Sequence, residues 1–205
     1  MIEKPAPSLR ERNRIRLRQE ILDVALDIID ADGITACSVE EIARRIGASK
    51  TTVYAQFRGG LDEMLRERYR AISEELITEV SLRRAKLADG AARVSVMADV
   101  LFDLCAQPKI GRFYMQLSPA LSPKLEAVIG RGSSAFRAMI SEDLVASGFE
   151  EAEARVRAIA LMGAIRETAV AVAKEPEYRD RLLEIVGQIA RSMFGLQRVE
   201  PHRDV

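Results

Sequence analysis

Residues 38–57, SVEEIARRIGASKTTVYAQF, constrain the fold more tightly than any other stretch of the chain. Ser38 and Glu41 supply the S-x-x-E pattern of a capping box, which marks the start of a helix. Val39, Ile42, Ala43 and Ile46 then recur on one helical face. Gly47 stops that helix, because a residue without Cβ enters the left-handed cap conformation without strain. Ser49 caps a second helix, on which Val53 and Phe57 stand one turn apart and face inward. Its outer face carries Lys50, Thr51, Thr52 and Tyr54, which are polar groups that hydrogen-bond. A short helix that exposes such a face beside a bracing partner helix suits the major groove of DNA.

The stretch resembles the TetR family of bacterial transcription regulators. The residues that carry the likeness are Ile42-Ala43, then Ile46-Gly47-Ala48-Ser49, then Thr52-Val53-Tyr54 with Phe57 three residues on. With the preceding helix the matching region runs from Ile15 to Leu65, and the rest of the chain matches only in length and helical character. The resemblance implies that the second helix of the motif is the recognition helix. There is one departure. Family members commonly carry a lysine six residues after the tyrosine, followed by an acidic residue. Gly60 and Leu61 stand there in this chain, and the spacing to Met64-Leu65 is one residue longer. Either Arg58 supplies the phosphate contact of that lysine or the contact is missing.

The formal net charge is zero, which taken alone argues against a nucleic-acid partner. The distribution matters more. Arg10, Arg12, Arg14, Arg16 and Arg18 precede the motif, and Arg44, Arg45, Lys50 and Arg58 lie within or beside it. The compensating acids Glu20, Asp23, Asp27, Asp30 and Asp32 fall between the two groups. Basic side chains therefore flank the motif where a phosphate backbone would pass.

Along the chain, the start through Ser8 has two prolines and no periodicity, and reads as an arm. Residues 9–31 form a helix with Ile21, Leu22, Ala25, Ile28 and Ile29 inward, closed by Gly33. Gly59-Gly60 is the expected hinge, dividing a DNA-binding domain (1–60) from a ligand-binding and dimerisation domain (61–205). A head of about sixty residues is a marginal unit and needs to dock on the larger second domain. Helices are expected over 61–86, 92–106, 122–146, 151–174 and 178–194, with GRGSS at 130–134 kinking or interrupting the third. That loop-like run lacks the spacing of a phosphate-cradling loop and has no preceding strand. The 151–174 helix is apolar or small on nearly every side from Ala158 to Ala173, so it needs cover on every side. A four-helix interface made by the last two helices of each of two subunits provides it, as in the family.

The chemistry of catalysis is missing. The single histidine, His202, lies in a polar tail, and no triad, H-E-x-x-H or CxxC is present. No catalytic residues, metal ligands or cofactors are therefore expected. Cys37 and Cys105 read as core thiols in a reducing cytoplasm, and no apolar run is long enough to cross a membrane. Met97, Leu101, Phe102, Phe113, Tyr114, Phe136, Met139 and Met162 are the candidates to line an apolar ligand pocket, an expectation that comes mainly from the family resemblance. Arg166 falls inside IALMGAIRETAVAVA and needs a partner: an ion pair within the protein or its dimer, or an anionic ligand.

The expected architecture is all-α, with an N-terminal three-helix helix-turn-helix head and a C-terminal helical bundle that dimerises. The expected function is sequence-specific DNA binding that represses transcription until a small apolar or amphipathic ligand releases it. Lys50, Thr51 and Thr52 would reach base edges or nearby phosphates, and Ser38, Ser49, Tyr54, Gln56 and Arg58 would complete the DNA-binding set. Two heads on one dimer imply a near-palindromic operator. Two rival classes remain: a helical interaction module whose head no longer binds DNA, and a helical enzyme, against which the missing histidines and acid clusters already count.

Overall fold

A computed structural model describes residues 8–117 and 122–195. The expectations for the N-terminal arm and for the tail that holds His202 lie outside the described residues. Among the described residues the chain is helical throughout, with no β-strand.

Helix α1 (Leu9–Asp32) starts at Ser8, whose hydroxyl accepts the Glu11 amide at 3.2 Å. It buries Ile21, Leu22, Ala25, Leu26, Ile28 and Ile29 on one side and stops at Gly33. A single 3₁₀ turn leads into α2 (Val39–Arg45) and α3 (Lys50–Gln56), which together cover the α1 stripe. Helix α4 (Gly60–Arg84) then runs from the head into the body and buries Met64, Leu65, Tyr69, Ile72, Leu76 and Val80 in succession. Gly60 opens it at φ +59°, a conformation that favours glycine, and this corner turns the chain out of α3.

The body consists of α5 (Gly90–Cys105), α6 (Pro108–Gly111), α7 (Ser122–Ala146), α8 (Glu151–Lys174) and α9 (Arg179–Gly195). Helix α7 packs on α8 and α4, and α9 packs on α5. The chain from Arg112 to Leu117 winds as a π-helix, a rare form found mostly as single turns at functional sites. It lies where head meets body. Lys109 of α6 pairs with Asp27 of α1, and Arg112 pairs with Asp30 at 3.2 Å. The head thus docks on the body through ion pairs as well as through the continuous α4.

The expected break at residues 130–134 does not occur, because α7 passes through them unbroken. Two helical glycines cost about 1 kcal/mol each. The burial of Leu125, Val128, Phe136, Ile140 and Leu144 against α4 and α8 outweighs that cost. Gly132 also sits where a Cβ would approach the Tyr114 hydroxyl to 3.4 Å.

A buried carboxylate joins three helices. Asp143 of α7, only 3% exposed, accepts from Arg84 of α4 at 2.6 Å and from Arg93 of α5 at 2.9 Å. No helix among the described residues is long and apolar enough to cross a membrane.

Candidate nucleic-acid interface and internal cavity

The two short helices of the head are capped as their sequence requires. The Ser38 hydroxyl accepts the Glu41 amide at 3.1 Å, and the Ser49 hydroxyl accepts the Thr52 amide at 3.0 Å. The capping box closes on one side only. Instead of returning to the Ser38 amide, the Glu41 carboxylate receives Arg44 at 2.6 Å and Arg45 at 2.8 Å. These bonds, that to Arg44 first, hold its pKa at about 2. Arg45 also reaches Asp32 at the end of α1, at 2.6 Å. Arg44 and Arg45, two of the basic groups that flank the motif, thus pair with acids of their own head.

Helix α3 is anchored by Val53 and Phe57, both wholly buried. That anchoring turns Lys50, Thr51 and Tyr54 outward, with Tyr54 46% exposed, while Thr52 is half-buried beside its bond to Ser49. Lys50 pairs with Glu40 of α2 at 2.5 Å and lowers the carboxyl pKa of Glu40. Both groups are exposed, so the pair is worth little and gives way readily to another anion. Gln56 is half-buried and Arg58 is exposed, and Arg58 has no ion-pair partner among the described residues.

Arg18 plays a part that the sequence does not disclose. Its guanidinium lies 4.1 Å above the Phe57 ring, donates to the Gln56 carbonyl at the end of α3, and pairs with Glu67 of α4. It ties α1, α3 and the start of α4 together rather than waiting for a phosphate. Its partners lie far along the chain, and no local pattern could have named them.

Inside the body is a cavity of about 40 Å³, counted as space open to water centres, which is room for roughly three waters. Leu101, Tyr114, Phe136, Met162 and Arg166 line it, together with Tyr69, Leu76, Met115, Ile129, Gly132 and Ser133. Met97, Phe102 and Phe113 are instead close-packed core, and Met139 packs half-buried against that core; none of the four reaches the cavity. Tyr69 and Leu76 belong to α4, so the helix that carries the head also forms a wall of the cavity. The Tyr69 and Tyr114 rings stack at 4.6 Å, and the Tyr114 hydroxyl meets that of Ser73 at 3.0 Å.

Burial pushes the Cys37 thiol up to about 11 and the Cys105 thiol up to about 12, which disfavours the thiolate at both. Among the described residues no cluster of histidine, cysteine or carboxylate side chains could hold a metal ion.

Residues 21–67 match the family described as bacterial regulatory proteins of the tetR family. That span holds the core of α1, the two short helices and the start of α4. Solved structures repeat the whole fold. A transcriptional regulator from Rhodococcus sp. Rha1 is 22% identical with a TM-score of 0.69, over 85% of this chain and 96% of its own. A TetR-family transcriptional regulator from Streptomyces coelicolor is 18% identical with a TM-score of 0.70, over 89% and 97%. The transcriptional regulator FadR from Bacillus subtilis, solved in complex with stearoyl-CoA, is 16% identical with a TM-score of 0.65, over 88% and 99%.

Proposed function

We propose that this chain, a member of the TetR family of bacterial transcription regulators, is a homodimeric repressor that leaves a near-palindromic operator when a small apolar or amphipathic ligand occupies its body. One observation carries the reading: α3 turns Lys50, Thr51 and Tyr54 to solvent while Val53 and Phe57, on its other side, are wholly buried. In this role Lys50, Thr51 and Thr52 reach base edges or nearby phosphates. Ser38, Ser49, Tyr54, Gln56 and Arg58 position the duplex backbone. Arg58, without an ion-pair partner among the described residues, is the group best suited to the phosphate that the family's lysine commonly holds.

The head is residues 1–60 and the body 61–205. Two copies join through α8 and α9, which places two recognition helices over half-sites about one helical turn, roughly 34–36 Å, or more apart. The shared wall of α4 supports a coupling between ligand and DNA, since a molecule that enlarges the cavity by displacing Tyr69 or Leu76 moves the helix that carries the head. A ligand with unequal affinity for two placements of α4 shifts the balance between them. Stearoyl-CoA in the B. subtilis relative supports a ligand with a long apolar portion.

The operator is found by selecting bound fragments from a random DNA pool. On that operator, Lys50→Ala and Thr52→Ala are each expected to weaken specific binding by about 10- to 100-fold, read by fluorescence anisotropy, with little change in thermal stability. The wild-type affinity is expected to fall steeply with added salt. Wild-type affinity in both variants would exclude this face, and a flat salt response would exclude phosphate contacts.

A further inference from the structure

The polar groups around the cavity are unevenly spent. The inner hydroxyls satisfy each other: Ser73 donates to the Tyr69 carbonyl at 2.9 Å and meets the Tyr114 hydroxyl at 3.0 Å. Leu76, Leu101, Phe136 and Met162 make the rest of the interior apolar. Arg166 differs. It lines the cavity yet is exposed, so it marks the open side, and it has no hydrogen-bond or ion-pair partner among the described residues. Exposed at the edge of an apolar cavity, its guanidinium stays hydrated when the cavity is empty and is free to meet an anion there. The neighbouring wall adds the Ser133 hydroxyl, a donor for the same anion.

We propose that the cavity takes an amphiphile with a single carboxylate, bound head-outward: the carboxylate is held by Arg166 and Ser133, and the apolar tail points inward between Leu76, Leu101, Phe136 and Met162. This rests on the reading of the cavity as the ligand site. Guanidinium is the side chain whose paired N–H groups match a carboxylate, and a charge-assisted pair at a half-dry mouth is stronger than one in open water. The small cavity volume adds a condition. A tail longer than a few carbons enters only if the surrounding walls part, among them α4 and the π turn that carries Tyr114 and Met115.

The test uses the full-length dimer and a matched series of decanoate, decanol, methyl decanoate and decanoyl-CoA, with binding read by calorimetry. Decanoate is expected to bind about 10- to 100-fold more tightly than decanol or the methyl ester. Arg166→Gln is expected to abolish that preference and Arg166→Lys to restore part of it, with sedimentation checking that both variants stay dimeric, because Arg166 follows Gly163 by one turn of α8. Equal binding of acid and alcohol, a preference that survives Arg166→Gln, or binding of the CoA ester in place of the acid would each overturn the proposal. Operator release is measured separately. Release driven equally by decanol sinks the carboxylate site but keeps ligand-controlled repression, whereas tight decanoate binding without release does the reverse.

Discussion

Asp143→Ala is expected to cost about 3–5 kcal/mol of folding stability. The carboxylate is 3% exposed and neutralises Arg84, itself 13% exposed, and Arg93, 31% exposed. Both guanidiniums also reach backbone carbonyls, Arg84 that of Met139 at 3.2 Å and Arg93 that of Leu87 at 2.9 Å. They are therefore held in place when the acid is removed. Two cations would then face each other across the joint of α4, α5 and α7, with the Arg84 Nε already buried and unbonded. The expected loss is a drop in melting temperature of about 6–20 °C, at 2–4 °C per kcal/mol for a chain of this size. It is measured by chemical denaturation at a fixed protein concentration, because the proposed dimerisation would make stability concentration-dependent. Removing the whole cluster separates pairing from packing. Arg84→Met, Arg93→Met and Asp143→Leu together are expected to restore most of the stability, since apolar groups of similar volume carry no desolvation penalty. A loss below about 1 kcal/mol in Asp143→Ala would show that water or movement of α7 rescues the arginines.

Nothing in the sequence marks Asp143. It sits in SEDLVA, which reads as an ordinary helical stretch, and its partners lie 50 and 59 residues away. The same limit hides Arg18, whose role depends on where Gln56 and Glu67 come to lie. What the sequence does disclose is local. The caps at Ser38 and Ser49, the buried Val53 and Phe57, the stop at Gly33 and the span of α8 all depend on residues within a turn or two. The unexpected continuity of α7 has the same cause, because local glycine cost is legible and the packing that overrides it is not. The cavity falls between these cases. Apolar helical spacing shows that Phe102 and Phe136 both face inward, but which of them meets a void depends on the depth to which α5 and α7 sink against α4. The π turn has no sequence code at all. It places Tyr114 and Met115 beside the cavity and Arg112 against α1, within one short segment.

Separating the proposed dimer is expected to lower operator affinity by about 10²- to 10⁴-fold, the factor lost when the second head no longer binds intramolecularly. The surface that makes this testable is the outer side of α8 and α9. Val156 is 63% exposed, Ile159 58% and Ile185 41%, and Ala160 and Gly163 lie exposed between them. A Cβ at Gly163 would meet nothing within 4 Å, so a second helix can approach the backbone closely there. Aliphatic side chains so exposed along one face mark an interaction surface, and a two-fold pairing of the same face covers them in both copies at once. Val156→Asp and Ile185→Asp place a charge in that contact without touching the chain's own core. Ile189→Asp would be a poorer choice, because Ile189 is half-buried against its own subunit. In sedimentation at micromolar concentration the double variant is expected to be a monomer with unchanged helicity by circular dichroism. It should keep the base preferences of a single half-site, with weak affinity and about half the salt slope, since each head contributes its own phosphate contacts. A double variant that stays dimeric would move the interface elsewhere. A monomer that holds the full operator as tightly as the wild type would mean that one head reads DNA alone.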